Sequence, residues 1–459
     1  MYTVDFHKPI HIHFIGIGGI SMSGLAEILL KENFTITGSD AKASELTKHL
    51  EALGARVYIG QCAQNIEEDT DLVVYTAAIH KDNPEFARVV ELGIPMLTRA
   101  ELLGQIMRNY DMPIAISGTH GKTTTTSMAA SVLMQGDLDP TISVGGILPS
   151  IGGNIRVGQS QNFITEACEY TNSFLSFFPK ISVILNIDAD HLDFFKDLDD
   201  IRKSFRKFAE ILPEDGYLII NADIPDCEEI YRDLPCNVIT YSVNGTADIT
   251  AKNISYNAMG HGCFECIYKG VSLGTFTLAV PGEHNISNAL SVMAIAQIYG
   301  LDAPTIQKGY LSFQGTNRRF QYKGEIGGVS IIDDYAHHPT EIQATLTAAK
   351  NYPHEKLWVV FQPHTYTRTH ALLDEFADVL SQAETVILAD IYAAREKNTI
   401  GITSKDLKNE IEKRGGNVVY YPSFSEIEDY LLSNCTKGDL IITMGAGDVV
   451  NIGENLLGL

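Results

Sequence analysis

Residues 113–130 read PIAISGTHGKTTTTSMAA: an apolar run, a short loop holding two glycines and a lysine, then a helical pattern. In that order of strand, loop and helix, backbone N–H groups and a helix N-terminus converge on an anion. Gly118 and Gly121 let the chain turn toward phosphate, Lys122 supplies a point charge, and an adjacent threonine hydroxyl suits magnesium. Gly118, Thr119, His120, Gly121, Lys122, Thr123 and Thr124 are therefore the candidate phosphate loop for ATP, with Lys122 as its catalytic cation. The loop is a compact variant, because the first glycine of a GxxxxGK[ST] pattern would fall on Ile116.

The same rhythm opens two other stretches, HIHFIGIGG from residue 11 and VSIIDDYAHH from residue 329. Three openings predict an α/β protein of three domains, each a nucleotide-fold-like unit. Residues 1–110 are expected to form a Rossmann-like domain, with FTITGSD, ARVYIG and DLVVYTAAI as parallel strands of a doubly wound sheet. Residues 111–314 form the central P-loop ATPase-like domain, with a β-rich insert near 238–280 and a helix in GEHNISNALSVMAIAQIYG. Residues 315–459 form a second Rossmann-like domain through KLWVVFQPHTY, TVILADIY, NVVYYPS and DLIITMGAG.

Composition narrows the partners. A formal charge of −23 over 459 residues repels a nucleic-acid backbone, so anionic ligands must be met locally. The first residues lack a secretory leader and no segment reads as a membrane span, so a cytoplasmic monomer or homodimer is expected. Seven scattered cysteines fit free thiols in a reducing compartment, and Cys263 and Cys266 read as strand residues.

Further polar groups stand at strand ends. FIGIGGISMSG places Gly16, Gly18 and Gly19 between a strand and a helix, with Ser21 in the third-glycine position and Asp40 closing the next strand. A diphosphate at the helix start is expected, with Asp40 accepting from a ribose or base. TEACEY and NIDADHLD offer Glu166 and His191 to magnesium, with Glu169 competing with Glu166. DDYAHHPTE and QPHTYTRTH gather Asp333, Asp334, His337, His338, His364 and Arg368, where the Arg368 fork suits a small carboxylate.

GTHGKTTTT, NIDADHLD, GEHNISNAL, NRRFQ, DDYAHHPTEI and FQPHTYTRT occur in this order along nearly the full length, and together the chain resembles the Mur ligase family. The last two favour the branch that adds L-alanine to the lactyl carboxylate of UDP-N-acetylmuramate in peptidoglycan precursor synthesis. The resemblance implies that Gly18, Gly19, Ile20 and Ser21, with Ser39 and Asp40, bind the UDP-sugar. It implies ATP on the Lys122 loop, with Thr123, Glu166 and His191 serving Mg2+, and His284, Asn285 and Asn288 toward the adenine. Arg319 and Asp334 would reach ATP from the third domain, and His337, His364 and Arg368 would frame the alanine carboxylate. Where the family has arginine after the histidine of its QPH segment, this chain has Thr365. A ligase acting on a recycled murein peptide is the neighbouring alternative. An NAD-dependent dehydrogenase and a nucleotide-sensing regulator are alternatives of other classes.

Overall fold

The computed structural model describes residues 2–459 except 77, 193, 258 and 395. By chain contacts it divides into two compact units, the first comprising residues 1–188, 198–241 and 291–301 and the second residues 189–197, 242–290 and 302–459.

In the first unit, a five-stranded parallel sheet runs in the order Arg56–Ile59, Thr35–Asp40, His11–Ile15, Leu72–Tyr75, Met96–Thr98. The strand order reverses at His11–Ile15, the switch point where parallel sheets open a ligand crevice at their carboxyl edge. Helix Ile20–Lys31 leaves this edge directly after Gly16–Gly19. The sequence reading misses the short strand Met96–Thr98, whose three residues are too few to show a period.

The same unit holds the central parallel strands, in the order Asn237–Ser242, Tyr217–Asn221, Ile181–Ile184, Met112–Ser117, Asn162–Ala167, Thr141–Leu148. Gly153–Arg156 pairs antiparallel on the far side of Thr141–Leu148. Helix Lys122–Gln135 follows Met112–Ser117, and nine of its residues from Thr125 to Leu133 are buried. Such all-round burial suits its small, alternating Thr, Ser and Ala surface.

In the second unit, Ile249–Tyr256, His261–Tyr268 and Val271–Pro281 form the antiparallel strands expected of the β-rich insert. A six-stranded sheet follows in the order Gln321–Ile326, Val329–Asp334, Leu440–Met444, Leu357–Phe361, Thr385–Leu388, Val418–Tyr420. Both of its faces are covered, so its strands read as unbroken apolar runs. Ile332, Val359, Phe361, Leu388 and Ile442 pack on helices Pro339–Lys350, Leu373–Leu380 and Ser404–Lys413. Ile331, Trp358, Val360, Ile387 and Ile441 pack on Phe424–Asn434 and Val450–Leu457. The edge strand Gln321–Ile326 pairs antiparallel with Val329–Asp334. Among the described residues no helix is long and apolar enough to cross a membrane.

Candidate active site

The phosphate loop in the first unit is built as its spacing requires. Gly118 has φ +144° and a Cβ there would stand 2.9 Å from that of Leu185. Gly121, with φ +84°, starts the helix at Lys122. Asn186, one of the residues the sequence reading passes over, clamps the loop by accepting from His120 N at 2.8 Å and donating to His120 O at 3.0 Å. Asp188 pairs with His120 Nε2 at 3.2 Å. Lys122 Nζ donates to Gly118 O, Thr119 O and, at 3.0 Å, Glu169 Oε2. Burial works against this ammonium, but Glu169 and, further off, Cys168 and Glu166 outweigh it and hold its pKa above the ordinary lysine range.

Glu169 is 2% exposed, and it is the carboxylate that meets Lys122. Glu166 lies inside strand Asn162–Ala167 and its Oε1 accepts from Gly145 N at 2.5 Å. Of the two carboxylates, Glu169 stands at the lysine of the loop and Glu166 at the backbone of Gly145. Thr123 lies in the first turn of the helix, against Gly146, where a Cβ would stand 3.1 Å from its methyl group.

In the amino-terminal sheet, Gly19, Ile20 and Ser21 are exposed at the carboxyl edge. Asp40 Oδ2 accepts from Gly18 N at 2.8 Å, so the expected ribose acceptor already holds the glycine turn. Ser39 is fully buried and its hydroxyl donates to Glu85 at 2.6 Å, which points it into the sheet and away from the nucleoside side expected of it.

In the second unit, His337 and His364 come together with ring centroids 5.6 Å apart. Arg368 Nη1 lies 3.0 Å from His364 Nδ1, and since a guanidinium only donates, Nδ1 carries a lone pair and the proton sits on Nε2. His337 Nδ1 faces two acceptors, Tyr335 O at 3.0 Å and Glu341 Oε2 at 3.2 Å. It therefore carries the proton and leaves the Nε2 lone pair available. Thr365, between these groups, adopts φ +66° and ψ 148°, a conformation strained for a β-branched residue, while its hydroxyl caps Arg368 N. The adjacent His338 caps helix Pro339–Lys350 by accepting from Thr340 N.

Arg368 is not an empty fork. Its Nε and Nη2 donate to Asp190 Oδ1 at 3.3 and 3.1 Å. Burial disfavours the Asp190 carboxylate, yet Arg368 and His191 more than offset it and hold its carboxyl well below the usual range. His191, next to Asp190, has a left-handed backbone with φ +54°. Asp334 is also engaged inside its own unit, accepting from Phe320 N, Ala336 N and Thr345 Oγ1 at 2.9 to 3.1 Å. Asn285 and Asn288 bond Pro281 O and each other at the start of helix Glu283–Ile298, so their amides brace the helix toward which adenine was expected, while His284 stays exposed. Arg319 stacks on Tyr335 and stands 3.8 Å from Glu341. Its neighbour Arg318 is committed to Asp333, Gly445 O and Gly447 O.

Family models match the chain in three successive segments: the Mur ligase family catalytic domain over residues 11–111, the Mur ligase middle domain over 116–296, and the glutamate ligase domain of Mur ligases over 318–447. The chain belongs to the Mur ligase family. This Mur ligase is an ATP-dependent ligase of three α/β domains, which sets aside the dehydrogenase and regulator readings. It is 61% identical over 457 residues to the UDP-N-acetylmuramate–L-alanine ligase of Agathobacter rectalis, covering 100% of both chains. The enzyme of the same name from Lachnospira eligens is 57% identical over 458 residues, again covering 100% of both. Among solved structures, the UDP-N-acetylmuramate-alanine ligase of Thermotoga maritima matches with a TM-score of 0.80 and 27% identity over 98% of each chain.

The site histidines of this Mur ligase give its stability a pH dependence. Burial is the main cause holding the His337 and His364 rings down to about 4, with Arg368 adding to it. Unfolded, each takes its proton near about 6.5. Between those values the unfolded chain binds more protons, so stability falls as pH drops from 6.5 toward 4. Burial pushes Asp334 up to about 6, which reverses the sign for that one group between pH 6 and 4. Burial raises Asp333 in the same sense as Asp334, so the share of the two histidines is read from their variants and not from the net slope. Urea midpoints at pH 7 and pH 5 check it: His337→Gln and His364→Gln should each flatten the slope, and an unaltered slope in both removes the histidines as its cause.

Proposed function

We propose that this Mur ligase joins L-alanine to the lactyl carboxylate of UDP-N-acetylmuramate at the expense of ATP, in peptidoglycan precursor synthesis in the cytoplasm. The observation that carries the reading is the full-length likeness, at 61% identity, to a relative named for that reaction. The phosphate loop supplies the physical means.

A carboxylate is a poor acyl donor, because its oxygen is a poor leaving group. Transfer of the γ-phosphoryl group of ATP to that oxygen gives an acyl phosphate and ADP, and the amine of alanine then attacks the carbonyl carbon. The amide forms as phosphate leaves, and the amine loses a proton. Lys122 offsets the negative charge spread over the phosphoryl oxygens during transfer. The backbone N–H groups of Gly118 to Gly121 and the helix start at Lys122 hold the phosphates in register.

The Thr123 hydroxyl and a Glu169 carboxylate already drawn to the loop fit a hard divalent cation, with Glu166 and His191 as further candidates. Magnesium there would neutralise phosphate charge. The neutral His337 offers its Nε2 lone pair to the alanine ammonium. Arg368 and His364 serve the alanine carboxylate, and Arg368 does so by exchanging Asp190 for it. The Gly18–Ser21 turn takes the UDP diphosphate, while Ser39 and Asp40 hold that turn from beneath.

The test is ADP release with UDP-N-acetylmuramate and a panel of L-alanine, glycine, L-serine and a murein tripeptide. L-Alanine is expected to give the highest kcat/KM. Preference for the tripeptide overturns the substrate assignment in favour of a recycling ligase. Turnover without ATP overturns the mechanism.

A further inference from the structure

Three turns meet at the carboxyl edge of the amino-terminal sheet, following strands His11–Ile15, Thr35–Asp40 and Arg56–Ile59. Beneath them lies Glu85, in the first turn of helix Pro84–Leu92 and 0% exposed. Its Oε2 accepts from the Ser39 hydroxyl at 2.6 Å and stands 3.5 Å from His13 Nε2. Its Oε1 accepts from Asn65 Nδ2 at 2.6 Å. Each partner leads to a turn. The Ser39 carbonyl accepts from Gly16 N at 2.8 Å and Ile17 N at 2.9 Å, and Asn65 Nδ2 also holds Gly60 O at 3.0 Å. His13 is itself buried and fixed through Nδ1 to Thr37 Oγ1 at 2.9 Å.

We propose that Glu85 is a positioning residue for the sugar-nucleotide site, a buried carboxylate that sets the glycine turn through Ser39 without touching the ligand. The inference rests on the reading of that turn as the UDP-sugar site. Burying a carboxylate is costly unless its oxygens are bonded, and a helix that needed only packing here would be served by an apolar side chain. Burial opposes the charge, but the nearby His13 and hydrogen bonds from Ser39 and Asn65 outweigh it and keep the carboxyl below its ordinary range. Both oxygens face donors. Glutamine disturbs this set either way: its NH2 group would face Asn65 Nδ2 on one side, or on the other would force the Ser39 hydroxyl to turn from donor to acceptor.

The experiment compares wild type, Glu85→Gln and Ser39→Ala by steady-state ADP release and by calorimetric titration with UDP. Glu85→Gln is expected to raise KM for UDP-N-acetylmuramate about tenfold. Its KM for ATP and for L-alanine and its kcat at saturation should stay within about twofold of wild type. UDP affinity should fall in parallel, and Ser39→Ala should shift the same two quantities by less. Equal UDP affinity in all three proteins overturns the proposal, as does a uniform rise of all three KM values. If Glu85→Gln fails to fold, Ser39→Ala decides alone. If wild type binds UDP yet does not turn over UDP-N-acetylmuramate, the functional reading fails while the UDP affinities still test Glu85. A wild-type protein that does not bind UDP overturns both.

Discussion

Lys122→Ala is expected to lower kcat for ADP release by at least about a thousandfold, since it removes the one side-chain cation of the phosphate loop. Its KM for UDP-N-acetylmuramate should change little, because that ligand is assigned to the glycine turn of the amino-terminal sheet. The same substitution also acts on stability. Glu169, 2% exposed, loses its partner at 3.0 Å, and breaking a buried pair from one side costs about 3–5 kcal/mol. Lys122→Ala alone would thus confound lost chemistry with lost stability. Lys122→Ala combined with Glu169→Gln isolates the stability part: the melting temperature should recover most of its loss, and Glu169→Gln alone shows how much of the missing turnover belongs to the magnesium carboxylate. Recovery of turnover in the double variant would show that Lys122 serves the fold and not the phosphates.

Arg368→Ala carries the second large effect. Its KM for L-alanine is expected to rise by about a hundredfold, the scale of losing a bidentate carboxylate contact. It also strands Asp190, whose side chain is 9% exposed. In wild type the carboxyl of Asp190 lies below its unfolded range, so its stabilising contribution is present at neutral pH and fades as pH falls. Without Arg368 that lowering weakens, although His191 N still donates to Asp190 at 2.7 Å, so less of this stabilisation is present at neutral pH and less is lost as pH falls. The two stability curves should therefore converge toward low pH, and parallel curves would mean that Asp190 is not the group affected. Arg368→Lys keeps a charge beside Asp190 but loses the fork. It should restore the stability at neutral pH and leave the alanine KM high. A lysine variant with wild-type KM would move the alanine carboxylate elsewhere.

Much of the site is legible locally. Gly118, Gly121 and Lys122 are readable because a strand, a turn needing positive φ and a helix start are properties of a few consecutive residues. The neutral histidines, by contrast, depend on what packs around them: nothing in DDYAHHPTE tells that the His337 Nδ1 proton points at both Tyr335 O and Glu341. The choice between Glu166 and Glu169 illustrates the limit. Both follow an apolar run, but the strand extends through Ala167, with Glu166 opposite Ile116 in register. Glu166 is therefore held against Gly145, while Glu169, beyond the strand end, swings to Lys122. Arg368 was legible as a carboxylate fork, yet its present partner, Asp190, lies 178 positions away in sequence.

The amino-acid order by itself determined three α/β units, the parallel sheets with polar groups at their carboxyl edges, the phosphate loop and the family, because apolar periodicity and glycine turns act over short spans. Only the tertiary structure decided which carboxylate pairs with Lys122, that Asp190 occupies the Arg368 fork, and that Glu85 underlies the glycine turn. Those pairings join residues 46 to 178 positions apart, one of them beyond a strand end whose position the register sets. Which of several like-charged side chains reaches a given atom is fixed by the register and packing of whole sheets, and no local pattern encodes that.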